Sequence, residues 1–159
     1  MEEIIIRKIK PEDAEISWKW RNDPELWKYT DRSHTNYITK EIEQTWIEQI
    51  LMQDDRELFA ICIGKEQKYI GNARLCIGEN NEATYHIFIG NKEYWKKGIA
   101  FDVTLLIVEY AQKELKLKKI IAKIHQNNQA SIKFLTKAGF RKTEKTLGDF
   151  IWLDIQLSD

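Results

Sequence analysis

A short basic segment joins a strand pattern to a long helix pattern, and this junction most constrains the fold. The segment reads Tyr-Trp-Lys-Lys-Gly-Ile-Ala from Tyr94 to Ala100. Residues 85–89 before it alternate like a strand, and apolar residues after it recur at helical spacing to about Leu115. The first N–H groups of a helix lack helical partners and lie at the positive end of its dipole. The junction therefore predicts an anion-binding site.

A second marker lies in the last third of the chain. Asn128-Gln-Ala-Ser131 opens another helix pattern, and Lys137-Ala-Gly-Phe140 closes it. The two markers together indicate one site built from two helix starts.

The remaining periodicity predicts the order strand, helices, three antiparallel strands, helix, strand, helix, two strands. The strands are expected at 4–9, 58–63, 69–77, 83–89, 119–124, 142–147 and 150–157. A helix opened by Pro11 is broken by Asn22-Asp-Pro24, and further helices are expected at 25–29, 39–52, 99–115 and 128–137. In the 39–52 helix the apolar stripe is Ile42, Trp46, Ile47 and Ile50. The prediction is a single domain, residues 1–159, of class α/β (α+β), with a mixed, largely antiparallel sheet of about seven strands and helices on both faces.

Charge and composition exclude several functions. Lys plus Arg number 25 and Asp plus Glu number 25, so the zero net charge argues against general nucleic-acid binding. The N-terminus is no secretory signal, and no apolar run approaches a membrane span, so we expect a cytoplasmic protein. Cys62 and Cys76 are expected to be free, buried thiols, and neither has neighbours that suggest a metal site.

The two markers and the element order resemble the GNAT superfamily of N-acetyltransferases, which use acetyl-coenzyme A. The loop Trp95-Lys-Lys-Gly-Ile-Ala100 is similar to the family's pyrophosphate loop. Tyr94-Trp95 and Trp20-Arg-Asn-Asp-Pro24 look like the branch that includes ribosomal-protein N-terminal, spermidine and amino-sugar acetyltransferases. The resemblance implies a sheet that splays between its fourth and fifth strands.

The resemblance also implies the cofactor-binding residues. Main-chain groups of Ile87, Phe88 and Ile89 are expected to bind the pantetheine arm like an added strand. Amides from Lys96 to Ala100 are expected to hold the pyrophosphate, with Asn128 and Ser131 near the pantetheine. The full set is Ile87, Phe88, Ile89, Trp95, Lys96, Lys97, Gly98, Ile99, Ala100, Asn128 and Ser131.

The sequence departs from the family pattern at two positions. Lys96 stands where the loop often has Gly, which a backbone-amide site tolerates. Leu135 stands where many members carry the Tyr that protonates the departing thiolate. Because a thiol has a pKa near 8.5, a thiolate can leave without full protonation, so we expect activity to survive.

The expected chemistry is direct attack of a neutral amine on the thioester. His86 is the leading candidate for the base, against the alternative of a core histidine bonded across the sheet. His125, His34, Asp31 and Glu82 are weaker candidates. The acceptor side is expected to include Trp20, Arg21, Asn22, Trp27 and Tyr29, together with Asp31 and Arg32, although the tryptophans also suit a core.

The sequence thus predicts an acetyl-coenzyme A-dependent N-acetyltransferase acting on a small-molecule or peptide amine, without a metal. An amino sugar or sugar nucleotide is the favoured acceptor, and a protein N-terminus or a polyamine is the alternative. A non-catalytic acyl-coenzyme A-binding module is the rival of a different class. The expected partners include no nucleic acid and no membrane, and the expected state is a monomer or homodimer.

Overall fold

The computed structural model describes residues 2–29 and 36–158. The strands are β1 (Ile4–Lys8), β2 (Arg56–Ile63), β3 (Lys68–Ile77), β4 (Glu82–Ile89), β5 (Lys119–His125), β6 (Arg141–Leu147) and β7 (Phe150–Gln156). The α-helices are α1 (Ala14–Arg21), α2 (Pro24–Trp27), α3 (Lys40–Leu51), α4 (Ile99–Lys113) and α5 (Gln129–Lys137). Single turns of 3-10 helix lie at Pro11–Asp13, Glu79–Asn81 and Lys92–Tyr94.

The seven strands form one mixed sheet in the order β1-β2-β3-β4-β5-β7-β6. Neighbours are antiparallel except β4 and β5, which run parallel. That pairing covers only Glu82–Thr84 of β4 against Lys119–Ile121 of β5, after which the ladder ends. The predicted mixed sheet and its splay between the fourth and fifth strands are therefore confirmed.

Helices cover both faces of the sheet, and strand alternation divides the core accordingly. On β2, Phe59 and Ile61 point to the face that carries α4 and α5. Leu58 and Ala60 point to the face that carries α1 and α3. All four are buried, which explains why β2 reads as a continuous apolar run rather than an alternating one.

The acceptor-side helix α1 is fixed to the sheet by an ion pair. Both guanidinium nitrogens Nη1 and Nη2 of Arg7 on β1 donate to the carboxylate of Asp13, at 2.9 and 2.8 Å. The same carboxylate accepts the N–H of Lys10 at 2.8 Å. This bidentate geometry sets the angle at which the chain leaves β1 and enters α1.

Two details differ from the sequence prediction. The buried stripe of α3 is Glu43, Ile47 and Ile50, whereas Ile42 is half exposed because it lies at the edge of this buried face. Cys62 is buried as expected, but Cys76 near the end of β3 is only partly buried. The loop residues Asp31, Arg32 and His34 lie outside the described residues.

A candidate acyl-transfer cleft between β4 and β5

A cleft opens where β4 and β5 separate. Its volume is about 460 Å³, and its walls include Tyr85, His86 and Ile87 from β4 and residues 122–125 from β5. The lining also includes residues from the start of α5, from the helices α1, α2 and α3, and from the strands β2, β3, β6 and β7. We call this space the β4–β5 cleft. It brings together residues that the sequence singled out on separate elements, among them Arg21, His86 and Asn128, whereas the loop 95–100 lies outside its lining.

The register of β3 and β4 decides which main-chain groups of β4 face the cleft. Gly90 donates its N–H to Ile70 at 2.8 Å, so Ile89 and Gly71 form a non-hydrogen-bonded pair of the antiparallel ladder. Alternation then turns the main-chain groups of Ile87 toward the cleft. Those of Phe88 point to β3, where Asn72 is the partner residue.

The expected main-chain contacts of β4 are therefore revised. Ile87 offers both an N–H and a C=O to the cleft. Ile89 offers its N–H, but its carbonyl oxygen already accepts the indole N–H of Trp95 at 2.7 Å. Phe88 contributes its ring instead, which packs 5.2 Å from the ring of Trp27 and 5.9 Å from that of Trp20. A ligand lying along this edge would thus bond to alternate residues, as an added strand does.

The basic loop adopts a conformation suited to a phosphate group. Lys96 and Gly98 have φ values of 61° and 77°, and α4 begins at Ile99 directly after Gly98. The first main-chain hydrogen bond of α4 runs from the N–H of Asp102 to the carbonyl oxygen of Gly98. The N–H groups of Ile99 and Ala100, which precede it, therefore have no partner within the helix.

The residues of this loop fit a pyrophosphate. A Cβ added at Gly98 would meet no atom within 4 Å, so the main chain is open to a ligand there. The side chains of Lys96 and Lys97 are exposed beside it. Ile99, by contrast, is only 5% exposed, so its side chain belongs to the core and only its main chain faces outward. The conformation of this loop thus suits the pyrophosphate group that the sequence predicts there.

The start of α5 supplies the second helix terminus of the site. The Asn128 side-chain oxygen accepts the N–H of Ser131 at 3.3 Å, which caps the helix. Both residues line the cleft. Capping uses only the oxygen of Asn128, so its amide nitrogen retains two donors for a ligand.

Leu135 lies one turn further along α5 and is 1% exposed, yet it lines the cleft. Tyr85 also lines the cleft, but its hydroxyl bonds to Thr104 Oγ1 at 3.1 Å beneath α4. Because Thr104 donates its own proton to Ala100, Tyr85 must be the donor in this pair. Burial raises the pKa of Tyr85 well above its usual range, and the hydrogen bond to Thr104 offsets part of that rise. Tyr85 is therefore committed to the core and does not replace the hydroxyl missing at position 135.

Of the candidate bases, His86 has the most suitable position. It is exposed on the face that carries α1 and α3, and it lines the cleft. The alternative of a buried core histidine does not fit this exposure. Arg74 on β3 lies directly opposite it in the ladder.

The other candidate bases lie at different places in the structure. His125 lines the cleft but accepts the N–H of Asn127 on Nδ1 at 3.1 Å, and its ring lies 5.5 Å from that of Tyr29. Glu82 pairs with Lys119 at 3.6 Å, at the far end of β4 and outside the cleft lining. His34 and Asp31 lie outside the described residues.

The expected acceptor residues divide into two groups. Arg21, Trp27 and Tyr29 line the cleft. Trp20 is 8% exposed and belongs to the core, where its ring covers Gly90 so closely that a Cβ there would lie 2.1 Å from it. Asn22 also lies outside the lining, because its side chain bonds to both main-chain groups of Ile38, at 2.8 and 2.9 Å. Trp20 and Asn22 thus make these contacts within the protein, and their expected contact with a substrate stays a prediction.

Three charged residues of the lining were missed by the sequence reasoning. They are Glu43 on α3, Arg74 on β3 and Lys123 on β5. Glu43 carried a usable signal, since a Glu three and four residues before Trp46 and Ile47 lies on the apolar face of that helix. Arg74 and Lys123 lie in ordinary alternating strands, where a charge predicts only an exposed face.

Residues 2–29 and 36–158 contain neither a membrane-spanning helix nor a metal-binding group of side chains. Neither stretch contains a helix long and apolar enough to cross a membrane. Within the same stretches, no group of three or more His, Cys, Asp and Glu side chains is arranged to hold a metal ion.

Comparison with known proteins agrees with this geometry. The family model described as "Acetyltransferase (GNAT) domain" matches residues 3–141. The uncharacterized N-acetyltransferase p20 of Bacillus licheniformis is 26% identical over 152 residues, covering 94% of this chain and 84% of that protein.

Two solved structures have the same fold. The spermidine N-acetyltransferase of Vibrio cholerae, solved with CoA and spermine, superposes with a TM-score of 0.87 at 16% identity over 96% of this chain and 95% of that one. The ribosomal-protein-S5-alanine acetyltransferase of Vibrio fischeri gives a TM-score of 0.84 at 22% identity over 100% and 96%. Since the family model spans most of the sequence, this chain belongs to the GNAT acetyltransferase domain family.

Proposed function

We propose that this acetyltransferase moves an acetyl group from acetyl-coenzyme A to a neutral primary amine by direct attack in the β4–β5 cleft. The single observation that carries the proposal is the divergence of β4 and β5 after three residue pairs, which opens the main chain of Ile87 beside His86. Acetyl-coenzyme A, when bound, supplies the thioester whose acetyl group is transferred.

The cofactor would be held at three places. The carbonyl group of Ile87 and the N–H of Ile89 would bind the pantetheine arm along the open edge of β4. The amides from Lys96 to Ala100 bind the pyrophosphate, and Lys97 adds charge outside the loop. The amide nitrogen of Asn128, near Ser131, completes the set from the opposite wall.

His86 would act as the base for the acceptor amine. An alkylamine with a pKa near 10.4 is mostly protonated at neutral pH and cannot attack until it loses its proton. The imidazole of His86 faces the acceptor side of the cleft, where it can accept that proton directly or through a water molecule. The main-chain N–H of Ile87, which points sideways into the cleft, would donate to the thioester oxygen that gains charge during the attack.

Leu135 supplies no proton to the leaving group. A thiolate is a tolerable leaving group because an ordinary thiol has a pKa near 8.5. The proposal therefore assigns the essential proton transfer to the amine and leaves protonation of the thiolate to solvent.

For the acceptor we propose an amino sugar, free or linked to a nucleotide. The aromatic rings of Trp27 and Tyr29 at the cleft offer a stacking surface for a sugar ring. A protein N-terminus is the close alternative. A polyamine fits less well, because Glu43 is the single carboxylate in the described lining, which also contains Arg21, Arg74 and Lys123.

The decisive experiment is an acceptor screen that follows the release of free thiol from acetyl-coenzyme A, run beside calorimetric titration of the cofactor. We expect binding and turnover of at least one amine class. Micromolar binding without turnover across amino sugars, peptides and polyamines would instead favour a non-catalytic binding module. Absence of binding would overturn the assignment of the loop itself. Size-exclusion chromatography with light scattering tests the expected monomer or homodimer.

A further inference from the structure

The β4–β5 cleft continues onto a face of the sheet that the helices α1 and α3 do not cover. The core beneath these helices is built on β1 to β4, and none of its described residues comes from β5, β6 or β7. The buried residues of β5 and β7, such as Ala122 and Leu153, belong to the core under α4 and α5. The opposite face of these strands therefore stays open beside the cleft, and Leu147 on it is 73% exposed.

The centre of this open face is a row of three side chains, one from each strand. Lys123 of β5 lies directly opposite Trp152 of β7. The Nζ atoms of Lys123 and of Lys145, which is on β6, lie 4.5 and 5.0 Å from the centroid of the Trp152 ring. We call these three residues the Lys–Trp–Lys row. Lys123 and Trp152 line the cleft, and because adjacent strands are about 4.8 Å apart, the row extends about 10 Å from the cleft wall.

The two ammonium groups of the row are close together and lack a counterion within the protein. Of residues 2–29 and 36–158, none forms an ion pair with Lys123 or Lys145. Asp154, two residues after Trp152 on the same strand, pairs with Lys119 at 4.0 Å instead. Contact with an indole ring uses the charge of an ammonium group but none of its three N–H donors. Two like charges held near one ring favour an anion that bridges them.

We propose that the Lys–Trp–Lys row binds a phosphate group of the acceptor, whose amine lies in the β4–β5 cleft. The inference rests on the proposed function and favours a phosphate-bearing acceptor, a sugar phosphate or a sugar linked to a nucleoside diphosphate, over a free amine. A phosphate group presents three strong acceptor oxygens, so it can bond to both ammonium groups at once. Lysine binds such a group as a point charge, and these charge-assisted bonds are about twice as strong as neutral ones.

An apolar pair borders the row on the side of the β6–β7 turn. Leu147 and Phe150 are partners in the ladder, and both line the cleft. The ring of Phe150 lies 5.4 Å from that of His125, in an edge contact. A nucleoside base has an apolar face that can pack on this pair while its phosphates meet the lysines. We therefore expect the nucleotide-linked acceptor to be preferred over the simple sugar phosphate.

Calorimetry of the CoA-saturated protein tests the row without any need for catalysis. CoA fills the pyrophosphate loop, so an added phosphate compound cannot bind there. The probes are uridine diphosphate (UDP), uridine and inorganic pyrophosphate, all at constant ionic strength. We expect UDP to bind about tenfold or more tightly than uridine, because hydrogen bonds to charged groups contribute more than neutral ones. Pyrophosphate separates the contribution of the phosphates from that of the base.

Variants assign this binding to the two lysines. Lys123→Gln and Lys145→Gln should each weaken UDP binding about fivefold or more and leave uridine binding unchanged. Lys123→Arg and Lys145→Arg keep the charge and should retain most of the affinity. Lys142→Gln is the matched control, because Lys142 is an exposed lysine of β6 whose ladder partner is Leu153, so its side chain lies on the other face of the sheet. Melting temperatures show whether each variant is folded.

Turnover measurements then identify the source of the phosphate. Release of thiol from acetyl-coenzyme A is compared for glucosamine, glucosamine 6-phosphate and UDP-linked glucosamine. We expect at least one phosphate-bearing acceptor to have a higher kcat/KM than glucosamine. The Gln variants should remove that preference by raising KM, with kcat little changed. The better of the two phosphate-bearing acceptors shows whether the phosphate belongs to a sugar phosphate or to a nucleotide.

The binding and turnover results fail independently. Equal affinity for UDP and uridine would overturn the inference, and so would a loss of UDP affinity in Lys142→Gln as large as in the row variants, since the attraction would then be general. Acetylation of amines without lysine-dependent binding of UDP would overturn the inference and leave the proposed function standing. Lysine-dependent binding of UDP without turnover of any amine would support the subsite and count against the proposed function.

Discussion

At the scale of single residues, the side chains of neighbouring residues in β4 point to opposite faces of the sheet. His86 directs its imidazole to the helical face where the acceptor residues lie, whereas the side chain of Ile87 belongs to the face of α4. The main-chain groups of Ile87 point sideways into the cleft. In the proposed function, proton transfer and cofactor binding would therefore be carried by adjacent residues that do not compete for space.

Replacement of His86 tests the proposed base. His86→Ala should lower kcat by about 10²–10⁴-fold and remove the part of the pH–rate profile in which activity rises as the base loses its proton. His125→Ala is the control within the same cleft and should leave the shape of that profile unchanged. A folded His86→Ala protein with an unshifted profile would leave His86 without a catalytic role.

The conformation of Gly98 gives a second test at this scale. Because a Cβ at Gly98 meets no atom within 4 Å but φ is 77°, a substitution acts through backbone strain rather than through a clash with the protein. Gly98→Val should weaken CoA binding about tenfold or more, since β-branched residues rarely adopt this conformation. Gly98→Asn tolerates positive φ and should bind more nearly as wild type in calorimetry. Unchanged affinity in Gly98→Val would count against the loop assignment.

At the scale of elements, the site depends on how the loop after β4 is joined to the strand it leaves. The indole N–H of Trp95 donates to the carbonyl of Ile89, so the loop is tied to the last residue of β4. Lys92 in the same connection pairs with Asp23 and Glu25 of the α2 region, each at 2.8 Å. One short segment thus contacts both the strand that would bind pantetheine and the helix on the acceptor side.

The hydrogen bond of Trp95 can be removed with little change in volume. Trp95→Phe should weaken CoA binding several-fold, because a hydrogen bond contributes about 0.5–1.5 kcal/mol and its loss loosens the loop before α4. Hydrogen exchange of residues 95–98 should rise in the free protein. Trp18→Phe, on the outer side of α1, is the control and should leave both measurements unchanged. If Trp95→Phe binds CoA as wild type does, the bond is not needed to order the loop.

The elements of the fold were largely predictable because each has a local pattern, but the contacts of the site were not. The strands at 83–89 and 119–124 and the helix that starts at Ile99, directly after Gly98, follow from periodicity and one glycine. Which main-chain groups of β4 face the cleft depends on its pairing with β3, and a shift of one residue exchanges Ile87 for Phe88. The approach of Arg21 to Glu43 depends on how α1 packs against α3, which no local pattern encodes.

At the scale of the whole molecule, the sheet consists of two halves, β1–β4 and β5–β7–β6, that share only three residue pairs. Helix α4 packs on one face of the sheet and buries Val103 and Ile107 completely. Two tyrosines are also enclosed, Tyr85 on the face of α4 and Tyr69 on the face of α1. Burial raises the pKa of both hydroxyls well above the ordinary value.

These two pKa shifts predict the stability of the protein in alkali. Both groups titrate at about 10 in an unfolded chain and higher in the folded protein, so unfolding releases protons. Their contribution to the free energy of unfolding is present below about pH 10 and is lost as the pH rises above it. Absorbance of tyrosinate near 295 nm should therefore rise in two steps, the second coinciding with loss of the helical circular dichroism signal.

Tyr85→Phe should make the fall of unfolding free energy above pH 10 shallower, and Tyr37→Phe, whose ring is 64% exposed, should not. Complete titration of all tyrosines while the helical signal is intact would contradict the prediction.

The open edge of β4 has a consequence for solubility. An unpaired strand edge normally invites another chain to add a strand, and soluble proteins protect such edges against aggregation. Here the unpaired groups of Ile87 lie in the middle of the sheet, between two strands that diverge only after they have paired. A slender ligand arm can enter this gap, whereas a polypeptide strand with side chains on both faces would have to force the half-sheets apart. The fold can thus keep an unsatisfied strand edge available for recognition while it excludes the intermolecular pairing that leads to fibres.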